Sequence, residues 1–575
     1  MAVIGKQEIQ EAYQVLQEYK KGKATLEQTI VDNEKFWKGR HWDAASRKDG
    51  NSTSKPVSQW LFNCIINKHA DAMDSYPEAI CLPREAGDEK SAETLTNIIP
   101  AVMEYNRFKK VYSDNWWYKL KHGFCVYGVF WDNSANDNKG DVVIKSVDAL
   151  NLFWEPGITD IQKSKHLFIL DLVDIDNLKE KYPKIEFKGG ESDDLKQYVF
   201  DDDVDTTNKA LVVDWYYKKG GKLHYCKFCE ENVLFATENE KGFDNGWYDD
   251  GKYPVVIDRL FPEAGTIYGF GFIAVEKDPQ LFIDKLDENI MNHSHIASKP
   301  RYFASQSAAV NEEEFLDLSK SIVHVDGNID DNRLKPIQVY NIPGYMMNFR
   351  QAKIDELKET SSNRDFSQGG TAGGVTSGAA IAVLQEAGNK TSRDMINTSY
   401  MSVEEIVYMM IDRFRQFYTS THTFRILGEQ GQSEFVEFNN SGLVPQSIGV
   451  APAVGGGEVE LFRKPVFDIK VMAQKQNPFS TLAQNETIMN LYSAGLFAPE
   501  NAQVASIVVE MMTFEGKEKV LSYIQEGATL QNQLAQAQQQ NQQLMQQLAM
   551  LQGGMPQGMP NGVPQGVPGE MPIAM

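Results

Sequence analysis

The sequence predicts an α+β chain in which helical and strand-rich blocks alternate. Three observations carry that prediction. Long segments place apolar residues three and four apart. From Gly123 the period changes to short β-rich runs between turns. Beyond Asp278 long helical patterns return, separated by a glycine-rich loop.

In chain order, residues 5–39 read as helix, with Ile9, Tyr13, Leu16 and Tyr19 on one face and an aromatic close from Phe36 to Trp42. Asp49–Pro56 reads as a loop, 58–75 as a second helix ending at Tyr76-Pro77, and 91–122 as a third. Trp116, Trp117 and Leu120 on that third helix are assigned to packing, the usual role of aromatic residues at helical spacing. Val126–Trp131, Asp141–Val147, Asn151–Trp154, Lys209–Tyr217 and Lys222–Phe235 read as strands. Asp278-Pro279 is a helix-opening pair, and Lys299-Pro300 stops that helix after roughly 30 Å. A mixed module over Arg301–Val339, with a strand over Ser321–Val325, leads to a second rod of nearly equal length, Tyr345–Asp365. After the glycines of Gln368–Gly378, a helix runs to Tyr418, bent at Gly388-Asn389. Its seam is Ile396, Tyr400, Val403, Val407, Met410, Phe414 and Phe417. Residues 422–472 return to strands, and helices follow at 481–495 and 499–512.

The end of the chain changes composition. No charged residue lies between Glu526 and Glu570. Leu530, Leu534, Ala537, Asn541, Leu544, Leu548 and Leu551 form a Gln-rich coiled-coil seam expected to self-associate, with Asn541 fixing register. Gly553–Met575, rich in Gly, Pro and Met, reads as a disordered tail.

Composition narrows the function classes. The 575 residues carry 57 Lys and Arg against 79 Asp and Glu, a formal charge of −22. That balance argues against wrapping nucleic acid by charge neutralisation but not against letting a duplex slide past. No apolar run is long enough for a membrane span, and the start of the chain does not read as a secretory signal. The five cysteines are too few for a disulfide framework, which suits a reducing compartment. Cys226-Lys-Phe-Cys229 has metal-ligand spacing without a second pair, and on a strand its thiols point to opposite faces. Asp201–Asp205 lacks the glycine and spacing of a calcium loop.

Nucleotide chemistry is also disfavoured. Gly369 and Gly374 have phosphate-loop spacing and Thr376 falls at the hydroxyl position, but Val375 replaces the lysine. Tyr268-Gly-Phe-Gly271 lacks the third glycine of a dinucleotide fingerprint. His293 and His295, two apart on a helix, face different ways. No motif assigns catalytic, cofactor or metal residues, and the expectation is a protein that is not an enzyme.

Taken in order, however, the motifs resemble those of a tailed-bacteriophage portal protein. Phe36-Trp37-Lys38-Gly39-Arg40-His41-Trp42 is similar to the family's F-x-x-G-x-x-W signature. Asn63–Asn67, Tyr76-Pro77-Glu78 and Leu82-Pro83 resemble the next helix and its exit. Gly123–Asp132 and Val143–Pro156 resemble the wing strands and their corner, and Tyr268–Gly271 leading to Gln280 resembles entry to the first stem helix. Gln368–Gly378 and the bent helix resemble tunnel loop and tunnel helix, and Asn477-Pro478 with Gly495-Leu496 resembles the approach to the crown. The likeness runs in order over about 25–525.

The resemblance implies an N-terminal helix (1–24), an α/β wing (25–271 and 420–478), a two-helix stem (272–299 and 345–366) and a small α/β clip (300–344). It further implies a tunnel loop (367–377), a long kinked tunnel helix (378–419), and a helical crown with the coiled coil (479–552) before the tail (553–575). The implied function is a ring, usually of twelve copies, at one capsid vertex of the virion, assembled in the host bacterial cytoplasm. Double-stranded genomic DNA is packaged, retained and ejected through it. Implied partners are the terminase large subunit, a head–tail adaptor, and the major capsid and scaffold proteins, with no membrane and no cofactor. Lys353, Lys358 and Arg364 on the second stem helix are candidates to touch phosphates, or else pair with Asp355, Glu356 and Glu359. Gln368, Thr371, Val375 and Thr376 are candidates to line the narrowest point. The alternatives are a nucleotide-driven packaging enzyme, against which Val375 speaks, and another head–tail structural protein, such as an adaptor, usually much shorter.

Overall fold

The computed structural model describes residues 4–44, 55–187, 208–298, 341–362, 390–427, 433–452, 458–473 and 517–552, with isolated residues and short stretches over 302–337 and 493–509. The chain divides into two units, Met1–Lys475 and Gln476–Met575. Helix and sheet are mixed throughout the first, as an α+β chain requires.

Helix α1, Lys6–Trp37, runs unbroken through residue 24. Its Ile9, Ala12 and Leu16 are buried against Phe168, Val213, Trp215 and Phe228 of a five-stranded sheet, each fully buried aliphatic chain contributing about 1.5–3 kcal/mol. Lys23, also buried, donates to the carbonyls of Ala149 (2.5 Å), Leu150 (3.2 Å) and Leu152 (2.8 Å). A Cβ at Gly22 would lie 2.4 Å from Pro156, so only glycine lets α1 rest on the Glu155-Pro156 corner.

Helix α2 is Trp60–Asp74. Strand β1, Pro77–Pro83, follows and was not expected from the sequence. It pairs antiparallel with β18, Phe467–Ala473, and so ties an early segment of the unit to its last strand. The two prolines at its ends masked it, because proline removes a ladder donor. The helix expected over 91–122 is two: α3, Glu89–Tyr105, and α4, Phe108–His122. Arg107 between them takes φ 51°, a left-handed value that interrupts the rod. Trp116 and Leu120 are buried as expected.

Strand β2, Phe124–Asp132, is central in a three-stranded antiparallel sheet between β3, Asp141–Ser146, and β9, Val255–Arg259. The five-stranded sheet runs β4 (Leu152–Trp154), β5 (His166–Asp174), β6 (Lys209–Lys219), β7 (Lys222–Cys229) and β8 (Asn232–Ala236), antiparallel throughout. The single strand expected over Lys222–Phe235 is therefore a hairpin, turning at Glu230 with φ 53°. Cys226 and Cys229 are buried in different apolar clusters, as residues of opposite faces, and all five cysteines are free. The short helix α5, Ile175–Lys181, packs Ile175 and Leu178 against Ala210, Val212 and Cys229 on one face of this sheet, and the two-residue strands β10 (Phe261–Pro262) and β11 (Gly269–Phe270) follow.

Helix α6, Phe272–Ser298, opens six residues before Asp278. Pro279 sits inside it at the cost of one backbone hydrogen bond. Buried Phe272, Ile273 and Ile283 on either side hold it in place. A strand pair, β12 (Tyr302–Ala304) and β13 (Leu334–Pro336), precedes helix α7, Gly344–Thr360. The rods are unequal, 27 residues against 17. The strand expected over Ser321–Val325 lies mostly outside the described residues.

Helix α8, Lys390–Phe417, buries Ile396, Val403, Val407, Met410 and Phe414 along the expected seam, with Tyr400 and Phe417 partly buried. The bend at Gly388-Asn389 lies outside the described residues. Hairpins β14–β15 (His422–Leu427, Ser433–Phe438) and β16–β17 (Gln446–Pro452, Glu458–Arg463) precede β18. The main core gathers Ile65, Leu95, Ile99, Trp116, Ile406 and Phe414 from α2, α3, α4 and α8.

In the second unit, α9 spans Lys517–Gln552. Leu534, Leu544 and Leu548 of the seam are 61%, 54% and 55% exposed, and Ala537 and Asn541 are exposed too. The side chains of Leu530 and Leu551, most of the helices expected at 481–495 and 499–512, the acidic Glu191–Asp205 stretch and the tail lie outside the described residues.

Candidate functional site

Helices α6 and α7 pack antiparallel. Asp287 faces Arg350, whose Nη2 donates to it at 3.0 Å and whose Nε makes a second contact. One turn away, Ile283 meets Ile354 and Leu357, together with Cys64 of α2. As one chain number rises the other falls. Ser361, one residue past α7, is buried and donates to Cys64 Sγ at 3.2 Å.

The root of this pair is polar. On one face of α6, Glu276, Gln280, Asp284 and Glu288 recur every four residues and all are buried. Asp284 meets His41 Nδ1 at 2.5 Å and accepts from the Ser58 amide at 2.9 Å. Gln280 donates to the Ser58 carbonyl at 2.6 Å and accepts from the Leu61 amide at 3.1 Å. Asp287 accepts from Ser58 Oγ at 2.7 Å as well as from Arg350. His41 stacks on Phe36, ring centroids 4.0 Å apart, which fixes the imidazole for Asp284. The F-x-x-G-x-x-W segment thus contributes His41 to the socket of α6, and Ser58 and Leu61 supply the rest.

Glu276 differs. It is fully buried, and neither carboxylate oxygen has a hydrogen-bond partner among the described residues. Burial, then the nearby charge of Glu356 on α7, pushes its carboxyl up to about 7.

Helix α8 is clasped by buried polar groups. Lys119 of α4 donates to Asp258 of β9 at 2.8 Å and to Ser399 of α8 at 2.7 Å, and Ser399 donates to Asp258. Ser392, near the start of α8, accepts from Lys68 at 2.9 Å and donates to Asp71 at 2.6 Å. Arg413 meets Asp250 at 3.1 Å and lies 3.3 Å over the Tyr248 ring. Beyond the helix, Tyr418 bonds Asp141 and stacks on His422 at 4.2 Å. Among the described residues no group of three or more His, Cys, Asp or Glu is arranged to hold a metal. These groups anchor and orient; each works by closing a neighbour's hydrogen bonds.

Of the residues singled out from sequence, Lys353 is paired with Glu356 at 2.5 Å and lies 5.7 Å over Phe349. Lys358 lies 5.7 Å over the Trp60 ring. Arg364, Gln368, Thr371, Val375 and Thr376 lie outside the described residues. The socket residues His41, Ser58, Gln280, Asp284, Asp287 and Arg350 were not singled out. The four-residue recurrence of polar groups from Glu276 to Glu288 was the available signal, but polar periodicity on a helix ordinarily marks a solvated face.

No helix of the described residues is long and apolar enough to cross a membrane. No curated protein matches the chain. The family model described as phage P22-like portal protein matches residues 16–252 and 218–561. The match takes in the socket segment, both sheets, the helix pair and α8, and the chain belongs to this family of tailed-phage portal proteins.

Proposed function

We propose that the protein forms the channel at a unique capsid vertex through which double-stranded genomic DNA is packaged, retained and ejected. Membership of the family implies a ring of copies associated with the virion capsid, and the family is a structural connector. The finer reading is a ring of twelve, with terminase docking during packaging and a head–tail adaptor afterwards. In it, 272–299 and 345–366 are the stem, 300–344 the clip, 367–377 the tunnel loop and 378–419 the tunnel helix. Residues 25–271 and 420–478 are the wing, and 479–552 the crown.

The observation that carries this reading is the antiparallel α6–α7 pair. It rises from a polar socket, it brackets a small strand pair, and the long α8 follows it in sequence. The balance of −22 supports a sliding role, because a mostly acidic wall gives few salt-sensitive phosphate contacts to retard a duplex. Native mass and negative-stain imaging of the full chain test it. A ring of about a dozen chains with an axial hole is expected. Robust intrinsic ATP hydrolysis would favour a packaging motor instead.

A further inference from the structure

A histidine just beyond α8 is held by acceptors alone. His422, the first residue of β14, is 1% exposed. Its Nδ1 lies 2.9 Å from the Ser420 carbonyl and its Nε2 3.2 Å from the Gly140 carbonyl. A carbonyl oxygen can only accept, and a neutral imidazole carries one N–H. In either neutral tautomer one ring nitrogen therefore points a lone pair at a carbonyl oxygen, and only the imidazolium donates to both. The Gly140 carbonyl is not free to turn away. That residue takes φ 80°, and a Cβ on it would lie 2.2 Å from the Trp131 ring, which is itself stacked on Phe417 at 4.7 Å.

The surroundings suit a cation. The Tyr418 ring lies nearly parallel to the imidazole, with centroids 4.2 Å apart and 14° between the planes. Asp141, next to Gly140 on β3, is 5% exposed and accepts from the Val142 amide at 2.7 Å and from Tyr418 Oη. Burial pushes its carboxyl above the usual range, opposed by the Tyr418 and Val142 bonds and then by the charge of His422. The other ionisable groups nearby turn to solvent. Asp132, opposite Asp141 in the ladder, is exposed and bonded to Ser134, and Lys139 is exposed. On β15, Phe438 is opposite His422, and Glu437 lies opposite Thr423 on the other face. Helix α3, which also packs on β14, keeps Lys90, Glu93 and Glu104 exposed. Among the described residues Asp141 is thus the buried acid that faces the ring.

We propose that His422 is a proton-operated latch: with two ring protons it fastens hairpin β14–β15 to the β2–β3 turn, and with one it lets go of a carbonyl and slackens. Loss of the proton turns one hydrogen bond into a contact of two lone pairs and takes the counter-charge from Asp141, both unfavourable in a buried site. The hairpin is a two-stranded sheet of its own, so no further ladder holds β14 when the latch slackens. Tyr418 directly follows α8, so the latch also fixes how that helix leaves the β2–β3 pair. The folded joint needs the second proton and the unfolded chain does not. The latch therefore contributes where the imidazole is protonated, and its contribution is lost as pH rises. Glu276 acts with the same sign, so whole-chain melting does not separate the two and a local readout is needed. The latch works within one chain and does not depend on the ring reading.

The test uses the full-length protein in one assembly state. Amide hydrogen exchange, corrected for its intrinsic pH dependence, is followed from about pH 5.5 to about pH 8.5 in wild type, His422→Gln and Asp141→Asn. In wild type, protection over 422–427 and 433–438 should fall roughly tenfold or more across that range, the loss of one charge-assisted hydrogen bond, while protection over 403–414 of α8 stays constant. His422→Gln, which cannot take up a proton, should show the low protection of high-pH wild type at every pH. Asp141→Asn removes the counter-charge and should move the fall to lower pH. Constant protection of the wild-type hairpin would by itself overturn the latch, whether or not either variant folds. A fall that persists unchanged in His422→Gln would assign the titration to another group and overturn it too. A fall that Asp141→Asn leaves in place would remove Asp141 from the latch and overturn the pairing argued here.

Discussion

Replacing Lys119 by Met removes the cation from a clasp that joins α4, β9 and α8. Lys119 and Asp258 are 0% and 1% exposed at the side chain and 2.8 Å apart. The variant strands a buried carboxylate with only the Ser399 hydroxyl for company. Breaking a buried pair in this way costs about 3–5 kcal/mol. The unit Met1–Lys475 has an unfolding entropy of about 1 kcal/mol/K, from roughly 2 cal/mol/K per residue. Lys119→Met should therefore lower its melting temperature by about 3–5 °C. The paired replacement Lys119→Met with Asp258→Leu removes both charges and should recover much of that loss, since an apolar pair of similar volume often matches a buried ion pair. Scanning calorimetry of the four proteins of the cycle, at one concentration and one assembly state, reads both effects. A fall under about 1 °C for Lys119→Met, or simple additivity in the double variant, would refute the claim that the clasp holds α8 by a coupled buried charge.

Three further outcomes follow from the helix pair and the coil. The raised carboxyl of Glu276 binds its proton more tightly in the folded state, so stability is highest below about 4.5, falls as pH rises to about 7 and stays lost above. Glu276→Gln should leave the melting temperature near wild type at pH 5 and raise stability at pH 8 by about 1–3 kcal/mol. Lys353→Glu sets a new acid beside Glu356 and, combined with Lys358→Glu, should reduce DNA retention in phage assembled on the variant; unchanged packaging and retention would count against a channel role for this helix. Deleting residues 527–575 removes the exposed leucines of α9 and should make rings dissociate at lower urea concentration; identical dissociation would show that the seam does not join copies.

What was legible in the sequence was periodic. The α8 seam could be read residue by residue because Val403, Val407, Met410 and Phe414 repeat at the spacing that a single buried face demands. The antiparallel sheets were legible as blocks but not as turns, since the break at Glu230 uses a non-glycine left-handed residue. The same reason hid the break at Arg107. Strand β1 was invisible because its partner lies nearly four hundred residues away, Pro77 opposite Ala473, and proline marks both of its ends. The socket was hidden more deeply. Asp284 and Gln280 look like surface residues in sequence, and only the return of the 41–61 segment onto α6 supplies their partners.

That socket bears on how the helix pair can be held at a fixed place in a ring. An apolar contact between α6 and the body would be stronger in net terms, yet it would tolerate sliding by a turn, because dispersion and burial are nondirectional. Hydrogen bonds between Gln280 and the backbone of Ser58 and Leu61, and those that Asp284 accepts from His41 and the Ser58 amide, tolerate no such slip. A shift of one turn, about 5.4 Å, would leave several buried polar groups unpaired, at about 1–3 kcal/mol each. The register of α6 is thus fixed chiefly by the penalty for being wrong. Asp287 extends the same control to α7 through Arg350. Arg350→Met should accordingly loosen α7 while leaving α6 seated. Hydrogen exchange would show faster exchange over 344–360 and unchanged exchange over 280–290. Equal loosening of both helices would mean that the pair is held as one apolar unit and that the polar socket does not set its register.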